Sequence, residues 1–195
     1  MTVSDEQLML DIMQGSTPAF ELFVRRWNSR MLCFFQRCVG NAAEAEDLRQ
    51  DLFLRVYQKR SSYRQQGRFE AWLYRIAANL VIDKHARKKK GNLQPLDTMD
   101  ESVEAAHDSS AQHSRCCAAM NEYEERIFQS LQLIPEGERI VLVLRHFENL
   151  NFREIADLID TPESTVKSRV YRGLQSMRQQ LKQAGIMENE ILRSV

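Results

Sequence analysis

Hydrophobic residues recur at helical spacing along most of the chain, and residues 161–182 give the clearest example. At about 100° per residue, the apolar side chains of this segment fall in one stripe and the polar side chains lie opposite. The apolar stripe contains Val166, Val170, Leu174, Met177 and Leu181. The polar face contains Lys167, Ser168, Tyr171, Arg172, Gln175, Arg178 and Lys182. The pattern predicts one long helix that packs through one face and exposes the other.

A shorter amphipathic segment directly precedes this helix. Its apolar side is formed by Phe152, Ile155, Ala156, Leu158 and Ile159. Asp160 in the link tolerates a left-handed backbone, Thr161 is expected to cap the second helix, and Pro162 suits its first position. Two helices joined this tightly predict a helix-turn-helix, whose second helix enters the major groove of DNA with its N-terminal residues at the base edges.

Four residues near the start of the long helix are therefore the expected duplex-DNA contacts: Lys167, Ser168, Tyr171 and Arg172. From Thr165 to Lys182 the segment contains basic residues and no Asp or Glu. A solvated face normally mixes both signs of charge, so the one-signed face favours a polyanionic partner.

The N-terminal half of the sequence also shows helical spacing, and strand-like alternation is absent throughout, so the fold class is predicted to be all-α. The helix expected at 42–57 buries Leu48, Leu52, Phe53 and Val56. It leaves an acidic outer ridge that includes Asp47, Gln50 and Asp51. This ridge is typical of a surface that meets a basic partner, and equally of an ordinary solvated helix face.

The next helix, expected at 70–87, has an apolar face for the core and a polar stripe that includes Arg75 and Asn79. Aromatic and basic residues alternate in the segment before it, and further basic residues follow the stripe. Together they are Tyr63, Arg64, Arg68, Phe69, Lys84, Arg87 and Lys88. Bases stack on aromatic rings while cations hold the phosphate backbone, so this combination suits single-stranded nucleic acid.

Charge is segregated along the chain although the net charge is zero. Residues 59–90 carry ten basic and two acidic side chains, and residues 91–125 carry one basic and eight acidic. The segment 91–112 is also poor in large apolar residues, which predicts a flexible acidic linker. We therefore expect two small helical domains, at 1–90 and 121–185, a linker at 91–120 and a tail at 186–195.

Composition excludes several classes of protein. No apolar run approaches the roughly 20 residues of a membrane span, and the N-terminus lacks a signal-peptide pattern, so we expect a cytoplasmic chain without membrane insertion. No nucleophile with its base, phosphate loop or metal constellation is evident, so we expect neither an enzyme nor a cofactor. The cysteines are expected to be reduced. A zinc or oxidant-sensing role for His107, His113, Cys116 and Cys117 is disfavoured by their irregular spacing.

The chain resembles the extracytoplasmic-function group of bacterial sigma factors, in the sigma-70 family, over nearly its whole length. The matching stretches are AEDLRQDLFLRVY, FEAWLYRIAANLVIDKHARKK, LIPEGERIVLVLRHFENLNFREIADLI and TPESTVKSRVYRGLQSMR, in the family's order and spacing. The resemblance implies a sigma region 2, a sigma region 4 and a factor that directs core RNA polymerase to promoter DNA. It also implies contacts to the clamp helices of the largest polymerase subunit and to the flap of the second-largest, and an anti-sigma factor as a further partner.

By position, the resemblance implies that Asp47, Gln50 and Asp51 bind core polymerase. It implies −10 element contacts for Tyr63, Arg64, Arg68, Phe69, Arg75, Asn79, Lys84, Arg87 and Lys88. It implies −35 element contacts for Lys167, Ser168, Tyr171 and Arg172. Many relatives have Gly at the positions of Asp160 and Ser164 and Glu at that of Asp51, so the promoter sequence is not transferable. The alternative is a helix-turn-helix repressor or activator with a helical ligand-sensing N-terminal domain, which would bind duplex DNA tightly by itself as a dimer.

Overall fold

The computed structural model describes residues 3–64, 69–91 and 122–183, and within these ranges it contains helices and no strand. The all-α prediction is confirmed. The helices are α1 (Asp5–Met13), α2 (Thr17–Val39), α3 (Ala42–Lys59), α4 (Phe69–Gly91), α5 (Glu122–Gln132), α6 (Glu136–Leu142), α7 (Phe152–Ile159) and α8 (Glu163–Gln183). A 3₁₀ turn at Arg60–Ser62 follows α3, and a π-helical turn at Val143–Phe147 follows α6.

Helices α1 to α4 form an N-terminal unit around an aromatic core. Helix α2 begins where the Ser16 hydroxyl accepts a hydrogen bond from the Ala19 amide at 3.3 Å, and it ends at Gly40, whose φ of 74° is left-handed. Phe23, Trp27 and Phe69 are at most 3% exposed, and their rings meet edge to face. Such contacts add about 0.5–1.5 kcal/mol per pair to simple burial.

Helices α5 to α8 form a C-terminal unit that contains the helix-turn-helix. A capping box begins α7, since the Asn151 side chain accepts from the Glu154 amide at 2.9 Å and the Glu154 carboxylate accepts from the Asn151 amide at 2.8 Å. Asp160 ends α7 with φ 50° and ψ 53°, the left-handed geometry expected of the link.

The beginning of α8 differs in detail from the expectation. The hydroxyl of Thr161 donates to the carbonyl of Ile159 at 3.2 Å. The first helical hydrogen bonds run instead from the amides of Thr165 and Val166 to the carbonyl of Pro162. Pro162 therefore takes the capping position, because its fixed φ suits the entry to a helix and its own missing N–H costs nothing there.

The division of the α8 surface is as the sequence predicted. Val166, Val170 and Leu181 are at most 3% exposed, and Leu174 and Met177 pack against the core from its edge. All seven residues of the predicted polar face are exposed. Packing of this one stripe orients the whole basic face toward solvent.

The two units contact each other directly. Buried residues of both belong to one continuous apolar cluster, in which α4 packs on α7 and α2 packs on α5 and α6. Most of the expected linker and the expected tail lie outside the described residues. The division into two domains remains a prediction.

The cysteines of α2 differ from each other. Cys38 is a free, buried thiol, and burial raises its pKa far above the ordinary value. Cys33 is disulfide-bonded, so the expectation of reduced thiols is wrong for that residue.

Close contact between α6 and α8 depends on a glycine, which yields a stability prediction. A Cβ at position 173 would lie 2.7 Å from Cδ1 and 3.2 Å from Cγ of Leu142, which is 2% exposed. We expect Gly173→Ala to lower the free energy of unfolding by about 1–2 kcal/mol, because overpacking outweighs the better helix propensity of alanine. Chemical denaturation followed by circular dichroism measures this.

Gly137 supplies the matched control, since it is also helical and a Cβ there would meet nothing within 4 Å. Gly137→Ala should be neutral or stabilising by up to about 1 kcal/mol. Equal effects at both positions would show that the α6–α8 contact does not require a glycine.

Candidate nucleic-acid and partner-binding surfaces

The outward face of α8 is the most regular candidate surface in the described chain. Lys167, Ser168, Tyr171 and Arg172 are all exposed, as the sequence predicted. Tyr171 is 68% exposed, the most of any large hydrophobic side chain in the described ranges. An aromatic ring held in water by a rigid helix is available to contact bases or sugars.

Two cations on this face, Lys167 and Arg172, have acidic partners that are easily exchanged. Lys167 Nζ lies 2.6 Å from Oε1 of Glu163 one turn earlier, and Arg172 Nε lies 3.5 Å from Oε1 of Glu138 on α6. The Arg172 side chain is 62% exposed. Exposed pairs of this kind contribute about 0–1 kcal/mol, so a phosphate or a base edge displaces them at small cost.

The ridge expected on α3 is present. Asp47, Gln50 and Asp51 are exposed, and they lie on one side of the helix at spacings of three and four residues. Leu54 continues this row one turn further and is 56% exposed. The sequence analysis did not include Leu54. An apolar residue three positions after Asp51, on the polar side of the helix, is the sequence feature that indicates an exposed apolar contact there.

A third surface lies on α4 and on the segments that flank its start. Arg64, Arg75, Asn79, Arg87 and Lys88 are exposed there. Arg68, which the sequence analysis assigned to the same site, lies outside the described residues. Arg64, Arg75 and Asn79 form an exposed face that the sequence analysis expects to contact the −10 element, and we call this face the −10 surface.

Two of the expected backbone contacts already have an acidic partner. Glu44 on α3 lies 3.3 Å from Nζ of Lys84 and 3.0 Å from Nζ of Lys88. Burial of Glu44 raises the pKa of its carboxyl group, but hydrogen bonds and charge attraction from the two lysines outweigh burial, and the net pKa is lowered. Lys84 and Lys88 are therefore held in place before any phosphate arrives.

Tyr63 and Phe69 are buried in this structure, at 4% and 3% exposure, although the sequence analysis expected them to contact DNA. The Tyr63 hydroxyl donates to the Glu6 carboxylate, and the Phe69 amide donates to Oε1 of Glu6 at 3.2 Å. Burial and the bond to Glu6 raise the pKa of Tyr63, so its hydroxyl stays protonated. A single carboxylate of α1 thus holds both flanks of the segment that precedes α4.

The C-terminal unit lies over part of the −10 surface. Arg75 Nη2 donates to the carbonyl oxygen of Asp157 on α7 at 2.9 Å. Arg64, Trp72 and Arg75 line the same cleft as Glu154 and Asp157. Asn79 is exposed one turn further along α4.

Within the described residues, no group of three or more His, Cys, Asp or Glu side chains is arranged to hold a metal ion. His107, His113, Cys116 and Cys117 lie outside those residues. None of the described helices is long and apolar enough to cross a bilayer.

Two family models match the sequence. The model of sigma-70 region 2 matches residues 23–91, and the model of sigma-70 region 4 matches residues 124–177. These ranges contain the acidic ridge, the −10 surface and the exposed face of α8. Glu6 lies outside both matches.

The chain is similar along most of its length to known polymerase factors. It is 31% identical over 180 residues to the RNA polymerase sigma-H factor of Pseudomonas aeruginosa, covering 89% of this chain and 91% of the relative. It is 32% identical over 180 residues to the ECF RNA polymerase sigma factor SigW of Bacillus subtilis, covering 88% of this chain and 93% of the relative.

Two solved structures share the fold. CnrH, in complex with the cytosolic domain of CnrY, superposes with a TM-score of 0.63 at 19% identity, covering 91% of this chain and 97% of that one. The sigma factor RpoE of Bartonella quintana, in complex with the anti-sigma factor NepR, superposes with a TM-score of 0.60 at 17% identity, covering 84% of this chain and 96% of that one.

The role of Glu6 can be tested through stability. We expect Glu6→Ala to lower the free energy of unfolding by about 1–3 kcal/mol, because it leaves the buried Tyr63 hydroxyl and the Phe69 amide without their acceptor. In the Glu6→Ala background, the further change Tyr63→Phe should be neutral or stabilising, whereas in the wild type it should be destabilising. Denaturant titration of all four proteins measures the coupling. An equal cost of Tyr63→Phe in both backgrounds would contradict the contact.

Proposed function

Because this chain belongs to the extracytoplasmic-function (ECF) group of the sigma-70 family of RNA polymerase factors, we propose that each of its exposed surfaces carries out a separate step of transcription initiation. It is an alternative sigma factor, a non-catalytic protein that binds core polymerase and directs promoter recognition, DNA melting and transcription initiation. The single observation that carries this conclusion is the match of regions 2 and 4, in order, to the two helical units.

The ridge on α3 is the proposed dock for core polymerase. Asp47 and Asp51 supply negative charge for the clamp helices of the largest subunit, and Gln50 supplies hydrogen bonds. The exposed Leu54 adds an apolar contact beside them. A charged rim around an apolar contact is a common arrangement in protein interfaces. The C-terminal unit meets the flap of the second-largest subunit.

The −10 surface on α4 is the proposed binding site for the melted strand. Arg64, Arg75 and Asn79 are exposed for contacts to an extruded base, and Arg68 lies on the same segment of the sequence. Lys84, Arg87 and Lys88 follow along the helix for the adjacent phosphates. Flipping one base out of the duplex costs a few kcal/mol, so several contacts to extruded bases and to the adjacent phosphates must together offset this cost for melting to proceed without ATP.

Tyr63 and Phe69 support this site from beneath. Both rings are buried against Trp72, and both are tied to Glu6. We propose that they shape the segment between them, and that they meet DNA only after a local rearrangement.

The exposed start of α8 is the proposed duplex contact at the −35 element. Lys167 and Arg172 reach phosphates and base edges, and Ser168 and Tyr171 lie between them on the same face. Arg paired with guanine is the commonest base-specific contact in the major groove. The rigid packing of α8 fixes the register of all four side chains.

The cellular setting follows from this function. The chain works where core polymerase works, in the cytoplasm. The structurally similar RpoE of Bartonella quintana is in complex with the anti-sigma factor NepR, and an anti-sigma factor is a proposed partner here as well. The two units act as separate domains on the polymerase, with the intervening residues as the linker between them.

Reconstituted transcription separates this function from the alternative of a helix-turn-helix repressor or activator. The chain plus sigma-free core polymerase should start transcripts at specific genomic sites, whereas the chain alone should bind duplex promoter DNA weakly. Tight binding of the isolated chain as a dimer, with no transcripts when core is added, would favour the repressor or activator.

Asp47→Arg should weaken association with core polymerase about tenfold or more, because it places a repulsive charge in the docking ridge. Fluorescence anisotropy of a labelled chain titrated with core measures the change. The matched control is Glu21→Arg, the same charge change on an α2 residue whose side chain pairs with Arg25 one turn away. If both substitutions weaken binding equally, net charge explains the effect and the ridge does not.

Arg172→Ala should reduce initiation at promoters that depend on the −35 element about tenfold, since one lost base contact costs about 1–3 kcal/mol. Its affinity for core polymerase should stay unchanged. Gln179→Ala is the control, because Gln179 is exposed on the same face two turns further along α8. A fall in core affinity with Arg172→Ala would show that this face of α8 binds protein.

A further inference from the structure

One carboxylate joins helix α1 to both ends of the segment that precedes α4. Oε2 of Glu6 accepts a hydrogen bond from the Tyr63 hydroxyl, and Oε1 accepts one from the Phe69 amide at 3.2 Å. Tyr63 directly follows the 3₁₀ turn after α3, and Phe69 is the first residue of α4. The two oxygens of Glu6 thus fix both ends of residues 64–68.

The bond to Phe69 also caps the N-terminus of α4. The first amides of a helix have no partner within the helix, and the Phe69 amide is one of them. Caps usually come from the residue just before a helix, whereas this acceptor lies 63 residues earlier in the chain. A carboxylate is also favoured beside the positive end of the helix dipole. The start of α4 therefore depends on a side chain of α1.

Glu6 is itself presented from a well-anchored helix. Helix α1 packs on α2 through core-facing residues that are at most 2% exposed, namely Leu8, Met9 and Ile12. Next to Glu6, Oδ1 of Asp5 lies 2.5 Å from Nη1 of Arg26 on α2. These contacts hold the first turn of α1 against α2, so the position of the Glu6 carboxylate is fixed.

The residues tied to Glu6 lie beside groups that are proposed to capture the melted strand. Arg64 follows Tyr63 directly and is exposed. Trp72, in the first turn of α4, contacts both rings, with centroids 5.2 Å from Tyr63 and 6.2 Å from Phe69. Glu6, Arg64 and Trp72 line the same cleft. A shift of Tyr63 or Phe69 would therefore move the groups that border the −10 surface.

We propose that Glu6 is a positioning residue for −10 recognition, which arranges Arg64 and the start of α4 for capture of an extruded base before any DNA binds. The proposal rests on the proposed function of the −10 surface. The region 2 match begins at residue 23, so this role extends the −10 machinery to α1, outside that match. Glu6 acts through Tyr63 and Phe69 and makes no contact with the base.

Prior arrangement of the site raises its affinity for the strand. Each side chain that is ordered only on binding weakens affinity severalfold. Without Glu6, the Tyr63 hydroxyl and the Phe69 amide lose their acceptor, and the strand itself must order the groups beside them. Loss of Glu6 should therefore weaken the binding of single-stranded −10 DNA. The affinities for core polymerase and for −35 duplex DNA should stay the same.

Glu6→Ala tests this role in the holoenzyme assembled from the full chain and core polymerase. The probe is a fluorescent single-stranded oligonucleotide with the non-template −10 sequence of a promoter mapped by reconstituted transcription. We expect Glu6→Ala to raise the dissociation constant of this probe about tenfold, as ordering of two side chains on binding predicts. Anisotropy titrations with core polymerase and with −35 duplex should give wild-type affinities.

Asp5→Ala is the matched control, because it removes the neighbouring carboxylate of the same helical turn, which pairs with Arg26. It changes the net charge equally and also loosens α1, but it leaves both bonds of Glu6 in place. It should bind the probe as the wild type does. Equal weakening by Asp5→Ala and Glu6→Ala would overturn the proposal, since net charge or the anchoring of α1 would then explain the effect.

A double-mutant cycle with the DNA separates positioning from a loss of stability. Abasic sites placed at each −10 position in turn identify the base whose removal weakens wild-type binding most. In the Glu6→Ala holoenzyme, removal of that base should cost much less, because the groups that hold the base are no longer arranged for it. A variant that is merely less stable would keep the full contribution of the base, and this result would overturn the proposal.

Tyr63→Phe guards against a folding defect in Glu6→Ala, because it keeps the buried ring and removes only one of the two bonds to Glu6. It should raise the dissociation constant of the probe in the same direction but by less. Tighter binding by either variant would overturn the proposal, since Glu6 would then hold the site away from DNA. Failure of the proposed function would look different: the wild-type holoenzyme would start no transcripts and would bind single strands no better than core polymerase does.

Discussion

The fold depends on one constraint, namely that each of its helices must bury an apolar face to be stable. Most helical stability in proteins comes from tertiary packing of such a face, so packing decides where the helices lie. In α8, burial of Val166, Val170 and Leu181 sends the opposite face outward, and that face carries Lys167 and Arg172. The same division on α3 leaves an acidic ridge outside. The same alternation of apolar and polar positions therefore determines both how the helices pack and which faces they expose.

Electrostatic contacts hold several cations of the proposed DNA-binding surfaces in place before any partner binds. Glu44 holds Lys84 and Lys88, and the backbone of Asp157 holds Arg75. These pairs are exposed enough to be exchanged for phosphates at low cost. The contact of Glu148 with Arg30 differs because Glu148 is buried, so it is costly to break and can set the arrangement of the two units. The chain thus combines exchangeable surface pairs with a buried pair, Arg30 and Glu148, that joins its two units.

Periodicity predicted the helices, the helix-turn-helix and the exposed residues of α8, because these follow from local spacing and burial. It did not predict that Tyr63 and Phe69 are buried, because their partner Glu6 lies about sixty residues away on another helix. Pairing of Glu148 with Arg30 spans a still longer stretch of chain. Leu54 had a local signal that was overlooked, an apolar side chain within a polar row. Long-range polar contacts carry no periodic signature, so only coordinates locate them.

The proposed function requires that this chain melt promoter DNA only when it is mounted on core polymerase. Permanganate reactivity of thymines at a cognate −10 element tests it most directly, because the reagent attacks unstacked bases. We expect reactive thymines with chain and core together, without ATP, and none with either component alone. Reactive thymines with the isolated chain, or none with the assembled holoenzyme at any promoter from the chain's own genome, would contradict it.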